Sequence, residues 1–170
     1  RSASHIALEC ALQAQPNVCL ISEEVEANNM TLNEVVEQIV EVIVARANAG
    51  LNFGTILIPE GLIEFIPAMR VLIQELNDML AENEEFAALE GDDAKREYVK
   101  SMLTPASCEL YRSLPKGIAK QLTLDRDPHG NVQVSRIETE KLLIEMCVAK
   151  LNRLKAAGTY KGKFSTVNHF

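Results

Sequence analysis

The sequence predicts an α/β fold in which part of a parallel, Rossmann-like sheet is interrupted by a largely helical insertion. Two continuous apolar runs, residues 18–21 and 55–58, are typical of strands buried on both faces of a parallel sheet. An amphipathic segment of helix length lies between them, as a parallel crossover requires. Strand signals then vanish and helical periodicity takes over. We therefore divide the chain into an α/β part (1–66), a mostly helical insertion (67–137) and a return helix and strand (138–170).

Composition agrees with a folded domain and disfavours several classes of protein. Of the 170 residues, 47% are hydrophobic and 24% are charged, which is too apolar for a disordered tail. The 17 basic and 24 acidic residues give a net charge of −7, which disfavours nucleic-acid binding through the overall field. No stretch has the length and apolar character of a membrane span, and the first residues do not resemble a signal peptide. We expect no nucleic-acid partner and no membrane partner.

Neither the cysteines nor the acidic residues predict a metal site. The four cysteines, at positions 10, 19, 108 and 147, form no Cys-x-x-Cys pair, whereas a metal site usually takes two ligands from one short loop. They are too few for a disulfide-based fold, so we interpret them as thiols of a reducing, cytoplasmic compartment. The acidic stretch 82–93 is typical of a solvated surface.

The α/β part begins with a helix and a strand. Ser2 and Ser4 are capping-type residues, and Pro16 ends the helix that they open. An apolar stripe at helical spacing marks this helix: Ile6, Ala7, Leu8, Ala11 and Leu12. After the first apolar run we expect a solvated loop with three acidic residues: Glu23, Glu24 and Glu26.

A second helix leads to the second strand. Thr31 and Glu34 have the spacing of a capping box, and Gly50 follows the last helical positions. The second apolar run comes next, and Pro59-Glu60-Gly61 ends it abruptly.

In the insertion, Pro67 suits the first position of a helix. Short amphipathic helices are expected up to residue 103, and another over 111–122 is crossed by Pro115. A last long helix starts at Ser135 or Thr139 and ends at Gly158, and residues 164–170 are predicted as a final strand.

In open α/β sheets, ligands bind beyond the carboxyl ends of the strands. That rule selects Ser22-Glu23-Glu24 and Pro59-Glu60-Gly61. A carboxylate at Glu60 could accept hydrogen bonds from a polyhydroxyl ligand, or it could simply favour the dipole of the next helix. The residues alone leave both interpretations open.

The start of the chain also has two interpretations. Arg1, Ser2 and Ser4 precede a helix and could cradle a phosphate, or they could form an ordinary helix cap. None of the histidines has a partner at catalytic spacing, and no Ser-His-Asp order, P-loop or Gly-x-Gly-x-x-Gly motif is present.

Three segments together resemble the long, pyrophosphate-dependent phosphofructokinases. They are residues 1–10 (RSASHIALEC), 58–64 (IPEGLIE) and 130–140 (GNVQVSRIETE). The resemblance covers nearly the whole chain in order and spacing, including the helical stretch between the second and third segments.

The resemblance implies that Arg1 ends a Met-Gly-Arg motif that contacts fructose 6-phosphate, and that Glu60 holds sugar hydroxyls. Ser2 and Ser4 are further candidates for substrate binding. The family's Tyr-Glu-Gly-Arg motif would follow Phe170, and its Gly-Gly-Asp phosphate loop and its Thr-Ile-Asp-Gly-Asp segment with the catalytic base would precede Arg1. The resemblance thus implies no catalytic residue within the chain, and we expect a fragment from the C-terminal half of a larger enzyme.

The implied reaction moves a phosphoryl group from pyrophosphate to fructose 6-phosphate, giving fructose 1,6-bisphosphate reversibly in glycolysis. It uses Mg²⁺, whose ligands would lie outside this chain. Residues 1–66 would then belong to the half of the enzyme that binds fructose 6-phosphate, and the resemblance also implies a cytoplasmic homo-oligomer. Two alternatives remain open: an ATP-dependent phosphofructokinase, and a non-catalytic regulatory or assembly subunit of the same family.

Overall fold

The computed structural model describes residues 4–81, 83–126, 131–163 and 165–168. The chain forms two compact units, which we call unit 1 (Arg1–Ile66 and Thr139–Phe170) and unit 2 (Pro67–Glu138). In chain order the described elements are α1 (Ser4–Ala14), β1 (Val18–Cys19), α2 (Ser22–Ala27), α3 (Leu32–Asn48), β2 (Ile56–Leu57), a 3-10 turn (Leu62–Phe65), α4 (Pro67–Leu80), α5 (Glu84–Ala88), α6 (Asp92–Met102), α7 (Pro105–Ser113), α8 (Lys116–Leu124), a second 3-10 turn (Val134–Arg136) and α9 (Thr139–Ala156).

Unit 1 contains a small parallel sheet, so the predicted α/β class with a helical insertion is confirmed. Val18 lies opposite Ile56 and Cys19 opposite Leu57. The regular strands are shorter than the apolar runs that predicted them, although the Leu20 N–H still donates to the Leu57 carbonyl at 3.0 Å. The prediction of full burial is wrong for Cys19 and for both residues of β2, which are half-buried because each strand of the described two-stranded sheet has an open edge.

The ladder is extended by the side chain of Asn17. Its Oδ1 accepts a hydrogen bond from the Thr55 N–H at 2.9 Å, and its own N–H donates to the Thr55 carbonyl at 2.8 Å. A Cβ on Gly54 would lie 2.8 Å from that Oδ1, so a side chain at this position would displace the Asn17 amide from its hydrogen bond. Asn17 therefore lies in the connection between α1 and β1 and also helps to align the two strands.

Helices α3 and α9 pack together and supply much of the core of unit 1. The predicted capping box is present: the Glu34 N–H donates to Thr31 Oγ1 at 3.2 Å, and the Thr31 N–H donates to the Glu34 carboxylate at 2.7 Å. Gly50 follows α3 with a left-handed φ of 83°, as predicted for a helix end. The buried side chains of α3 are Leu32, Val35, Val36, Ile39 and Val40.

The acidic segment after β1 is a helix, and its prediction as a loop is wrong. Residues 22–27 form α2, whose first turn carries Glu23 and Glu24. Carboxylates in the first turn interact favourably with the helix dipole. This interaction helps to stabilise a helix that is too short to be stable alone.

The apolar stripe predicted for α1 faces solvent in large part. Ile6 is 60% exposed and Leu12 is 82% exposed, whereas Ala7 is buried. Helical spacing located the helix correctly but did not identify its buried side, because both small and large apolar residues recur along it.

The return helix begins at one of its two predicted starts, whereas the strand predicted after it departs from the structure. Helix α9 begins at Thr139, and residues 134–136 form a separate 3-10 turn. The strand predicted over 164–170 is wrong for 165–168, which are not in a strand, while 164, 169 and 170 lie outside the described residues.

Unit 2 is helical in its described residues. Helix α4 packs against α7 and α8, and α6 packs against α8. Pro67 opens α4 as predicted, whereas Pro115 divides the helix predicted over 111–122 into α7 and α8. The buried Tyr111 hydroxyl lies 2.7 Å from Thr123 Oγ1 and joins the two helices. None of the described helices in either unit combines the length and apolar character that a membrane crossing needs.

Candidate functional site

The candidate site lies in unit 1, beyond the carboxyl ends of β1 and β2. Because the strands are parallel, the segments that follow them start from the same edge of the sheet. Helix α2 follows β1, the 3-10 turn Leu62–Phe65 follows β2, and these two elements pack against each other. Glu60 therefore lies in the connection between two fixed elements. The sheet holds β2 before it, and α2 holds the 3-10 turn after it.

Glu60 occupies a tight turn whose backbone conformation depends on Gly61. The Leu62 N–H donates to the Pro59 carbonyl at 3.3 Å, and Gly61 has φ 77° and ψ 7°. These angles are those of the third residue of a type II turn, a position that strongly favours glycine. Pro59 is buried while Glu60 is exposed. The turn thus holds its backbone against the core and presents the carboxylate to solvent.

The Glu60 carboxylate accepts no hydrogen bond from another residue in the described part of the chain. A carboxylate that caps a helix normally accepts from backbone N–H groups, and the N–H groups of Leu62 and Glu64 instead donate to the carbonyls of Pro59 and Gly61. Its oxygens are free to accept from an external donor. Sugar binding by Glu60 stays a prediction that this geometry favours.

Gly61→Ala is expected to weaken the site through backbone strain alone. No atom outside the neighbouring residues lies within 4 Å of the position that a Cβ would take, so the cost comes from the positive φ and should be about 1 kcal/mol. If Glu60 holds sugar hydroxyls, as the family resemblance implies, the change should give the full-length protein a several-fold higher KM for fructose 6-phosphate and an unchanged KM for pyrophosphate. Gly50→Ala, at a positive φ after α3, is the matched control, and equal effects of the two changes would contradict this prediction.

Ser4 is buried and its hydroxyl is engaged within the protein. The Ser22 N–H donates to Ser4 Oγ at 2.9 Å, and Ser4 is 2% exposed. A hydrogen bond from the Ser4 hydroxyl is also the main cause that lowers the pKa of Glu23, an exposed residue. Ser4 thus caps α2, which begins 18 residues later, as well as standing first in α1. Nothing in the spacing of the sequence signals this contact.

Two predicted substrate-binding residues, Arg1 and Ser2, lie outside the described residues. Their role stays a prediction. Among the residues that the structure does describe, no group of three or more His, Cys, Asp or Glu side chains is placed to hold a metal ion.

A separate cavity of about 710 Å³ lies elsewhere in unit 1. It is bounded by β2, α3, α9 and residues 166–168, and Glu60 is not part of its wall. Cys147 lies on this wall, and burial raises the pKa of its thiol to about 11, so the thiol is protonated and unreactive at neutral pH. The cavity and the candidate site are different features of the same unit.

No family model matches the chain, but individual proteins match it closely over its whole length. It is 57% identical over 170 residues to a Pyrophosphate--fructose 6-phosphate 1-phosphotransferase of Porphyromonas gingivalis, 31% of whose length it covers. It is 53% identical over 171 residues to the Treponema pallidum protein of the same name, with 30% of that protein covered. The Arabidopsis thaliana protein named subunit beta 1 is 51% identical, with 29% covered.

The chain therefore spans about 30% of the length of the curated relatives that it matches. In each case the match includes all of the chain, and with it the turn that carries Glu60. An identity above 50% over the whole chain is far beyond what a shared fold class alone produces. Over its whole length, the chain is therefore homologous to about 30% of the sequence of these proteins, which are named as pyrophosphate--fructose 6-phosphate 1-phosphotransferases.

Proposed function

We propose that this chain forms part of the fructose 6-phosphate site of a glycolytic enzyme that transfers a phosphoryl group from pyrophosphate to the sugar's 1-hydroxyl, reversibly. The observation that carries the proposal is the 57% identity, over every residue, to a relative named for this reaction. The exposed carboxylate of Glu60, held in a tight turn at the ligand-binding edge of the sheet, is the group in the described residues best suited to sugar hydroxyls.

In this proposal each residue has a limited role. Glu60 accepts hydrogen bonds from the hydroxyls of fructose 6-phosphate and so orients the sugar, while Arg1 pairs with its phosphate. Phosphoryl transfer also needs a group that accepts the proton of the attacking hydroxyl, and no residue of this chain is assigned to it. Mg²⁺ would neutralise charge on the transferring phosphates, and we assign it no ligand among the described residues. We also propose a cytoplasmic homo-oligomer.

A donor assay on the full-length protein tests the proposal. Formation of fructose 1,6-bisphosphate is measured with pyrophosphate or ATP as the only donor, in the presence of Mg²⁺. We expect turnover with pyrophosphate and none with ATP. Turnover with ATP alone would favour the ATP-dependent alternative, and no turnover with either donor would favour a regulatory or assembly subunit. The relatives described above are all named for pyrophosphate, which disfavours the first alternative.

The 170-residue chain on its own is expected to show no turnover in the same assay. Its sequence contains neither a Gly-Gly-Asp phosphate loop nor a Thr-Ile-Asp-Gly-Asp segment, and the family resemblance assigns phosphate binding and the catalytic base to those motifs. Turnover by the purified chain, at any rate above that of a buffer blank, would show that the base lies within residues 1–170.

A further inference from the structure

We propose that Ser4 is a positioning residue for the sugar site: its hydroxyl holds the start of α2 in place, and α2 in turn holds the turn that carries Glu60. The proposal rests on the proposed function, because it concerns how the fructose 6-phosphate site is kept in shape. It assigns Ser4 a role through the protein and not through contact with substrate.

The first step is that the residue directly before α2 does not cap this helix with its side chain. The residue before α2 is Ile21, whose side chain cannot accept a hydrogen bond, and no side-chain cap is formed there. The Ser22 N–H, at the first helical position, is instead satisfied by Ser4 Oγ at 2.9 Å. Ser22 is fully buried and Ser4 is 2% exposed, so water cannot easily replace this contact.

The second step is that the same hydroxyl has a second partner. The Ser4 hydroxyl accepts from the Ser22 N–H at 2.9 Å, and the interaction of this hydroxyl with the next residue of α2 is the largest cause of the lowered pKa of the Glu23 carboxyl. The hydroxyl therefore interacts with two adjacent residues of α2, Ser22 and Glu23.

The third step joins α2 to Glu60. Helix α2 packs against the 3-10 turn Leu62–Phe65, and each element contributes fully or almost fully buried side chains, Val25 from α2 and Leu62 and Ile63 from the turn. Gly61 connects Glu60 directly to that turn. Close packing transmits displacement, so a shift of α2 would move the turn and with it the carboxylate.

The decisive experiment compares two buried serines in the full-length protein. Ser4→Ala removes the hydroxyl that caps α2, and Ser107→Ala removes a similarly buried hydroxyl in unit 2, where Ser107 Oγ donates to Glu75 at 2.8 Å. We expect Ser4→Ala to raise both the KM and the calorimetric Kd for fructose 6-phosphate about five- to tenfold, with kcat and the KM for pyrophosphate within twofold. Ser107→Ala should lower Tm similarly without changing these constants.

The proposal is overturned if Ser4→Ala lowers Tm as Ser107→Ala does and leaves the sugar constants unchanged. Should Ser4→Ala fail to fold, Glu23→Gln takes its place, with Glu24→Gln as control. We then expect about a twofold rise in the sugar KM and Kd for Glu23→Gln alone, and equal constants for the two variants would overturn the proposal. A wild-type protein that binds fructose 6-phosphate without any pyrophosphate-dependent turnover would instead contradict the proposed function, while the calorimetric comparison would still decide the role of Ser4.

Discussion

Glu60→Ala in the full-length protein is expected to raise the KM for fructose 6-phosphate about 10- to 100-fold and to leave the KM for pyrophosphate within twofold. A hydrogen bond to a charged group contributes about 1.5–3 kcal/mol, and each 1.4 kcal/mol corresponds to a factor of ten in affinity. The carboxylate is exposed and accepts nothing from the other described residues, so its removal should cost little stability. Initial rates with one substrate varied and the other saturating provide the measurement.

Glu64→Ala is the control for this change, since Glu64 is also exposed and lies four residues further on, within the 3-10 turn. It should leave both KM values within twofold. If Glu60→Ala behaves like Glu64→Ala, Glu60 has no role in sugar binding, and its carboxylate acts only on the dipole of the turn that follows. Glu60→Gln should fall between wild type and alanine because an amide oxygen still accepts hydrogen bonds.

Glu75→Ala is expected to lower the free energy of unfolding of the chain by about 2 kcal/mol at pH 7. Its carboxylate accepts from the Thr104 N–H at 3.1 Å, from the Thr104 hydroxyl at 2.8 Å and from the Ser107 hydroxyl at 2.8 Å. Thr104 precedes α7 without capping it through its own side chain. Glu75 of α4 therefore caps α7 from another helix, and its loss leaves three donors without this acceptor.

The effect of Glu75 should depend on pH in a defined direction. Burial opposes ionisation, but the hydrogen bonds from Thr104 and Ser107 outweigh it and lower the pKa of Glu75 below its ordinary value. A lowered pKa in the folded state adds stability above the unfolded pKa, and this stability is lost as the pH falls through the folded pKa. The difference between wild type and Glu75→Ala should therefore shrink at acidic pH.

Urea unfolding followed by circular dichroism at pH 7 and near pH 3 measures both expectations for Glu75. Asp78→Ala is the control, because Asp78 lies on the same helix and is exposed. A loss of stability that is equal for the two variants at pH 7, or that does not change with pH for Glu75→Ala, would contradict the capping role.

Local features were predicted well because their causes lie within a few residues. The Thr31–Glu34 capping box closes over three positions, and both partners are visible in the sequence. Pro67 suits a first helical turn wherever that turn lies. Likewise, Pro59-Glu60-Gly61 predicted a sharp turn, and the positive φ of Gly61 is the conformation that glycine permits most easily.

Features that depend on distant partners were missed. The loop prediction for residues 22–27 failed because the cap of α2 comes from Ser4, 18 residues earlier. The exposure of the α1 stripe had no signal in the sequence, because periodicity shows that a face is apolar and not whether another element covers it. The cap from Glu75 on α7 spans 29 residues and has no sequence signature.

For the site, the sequence by itself determined the edge of the sheet, the turn that carries Glu60, and the family resemblance. Matches over the whole of this chain then supported that resemblance. Only the tertiary structure decided that Glu60 is exposed and without a partner among the described residues, that Ser4 is buried as a cap, and that α2 packs beside the turn. The physical reason is the distance along the chain over which each kind of interaction acts. Turn and cap propensities act through neighbouring backbone, whereas burial and hydrogen-bond satisfaction depend on which segments the folded chain brings together.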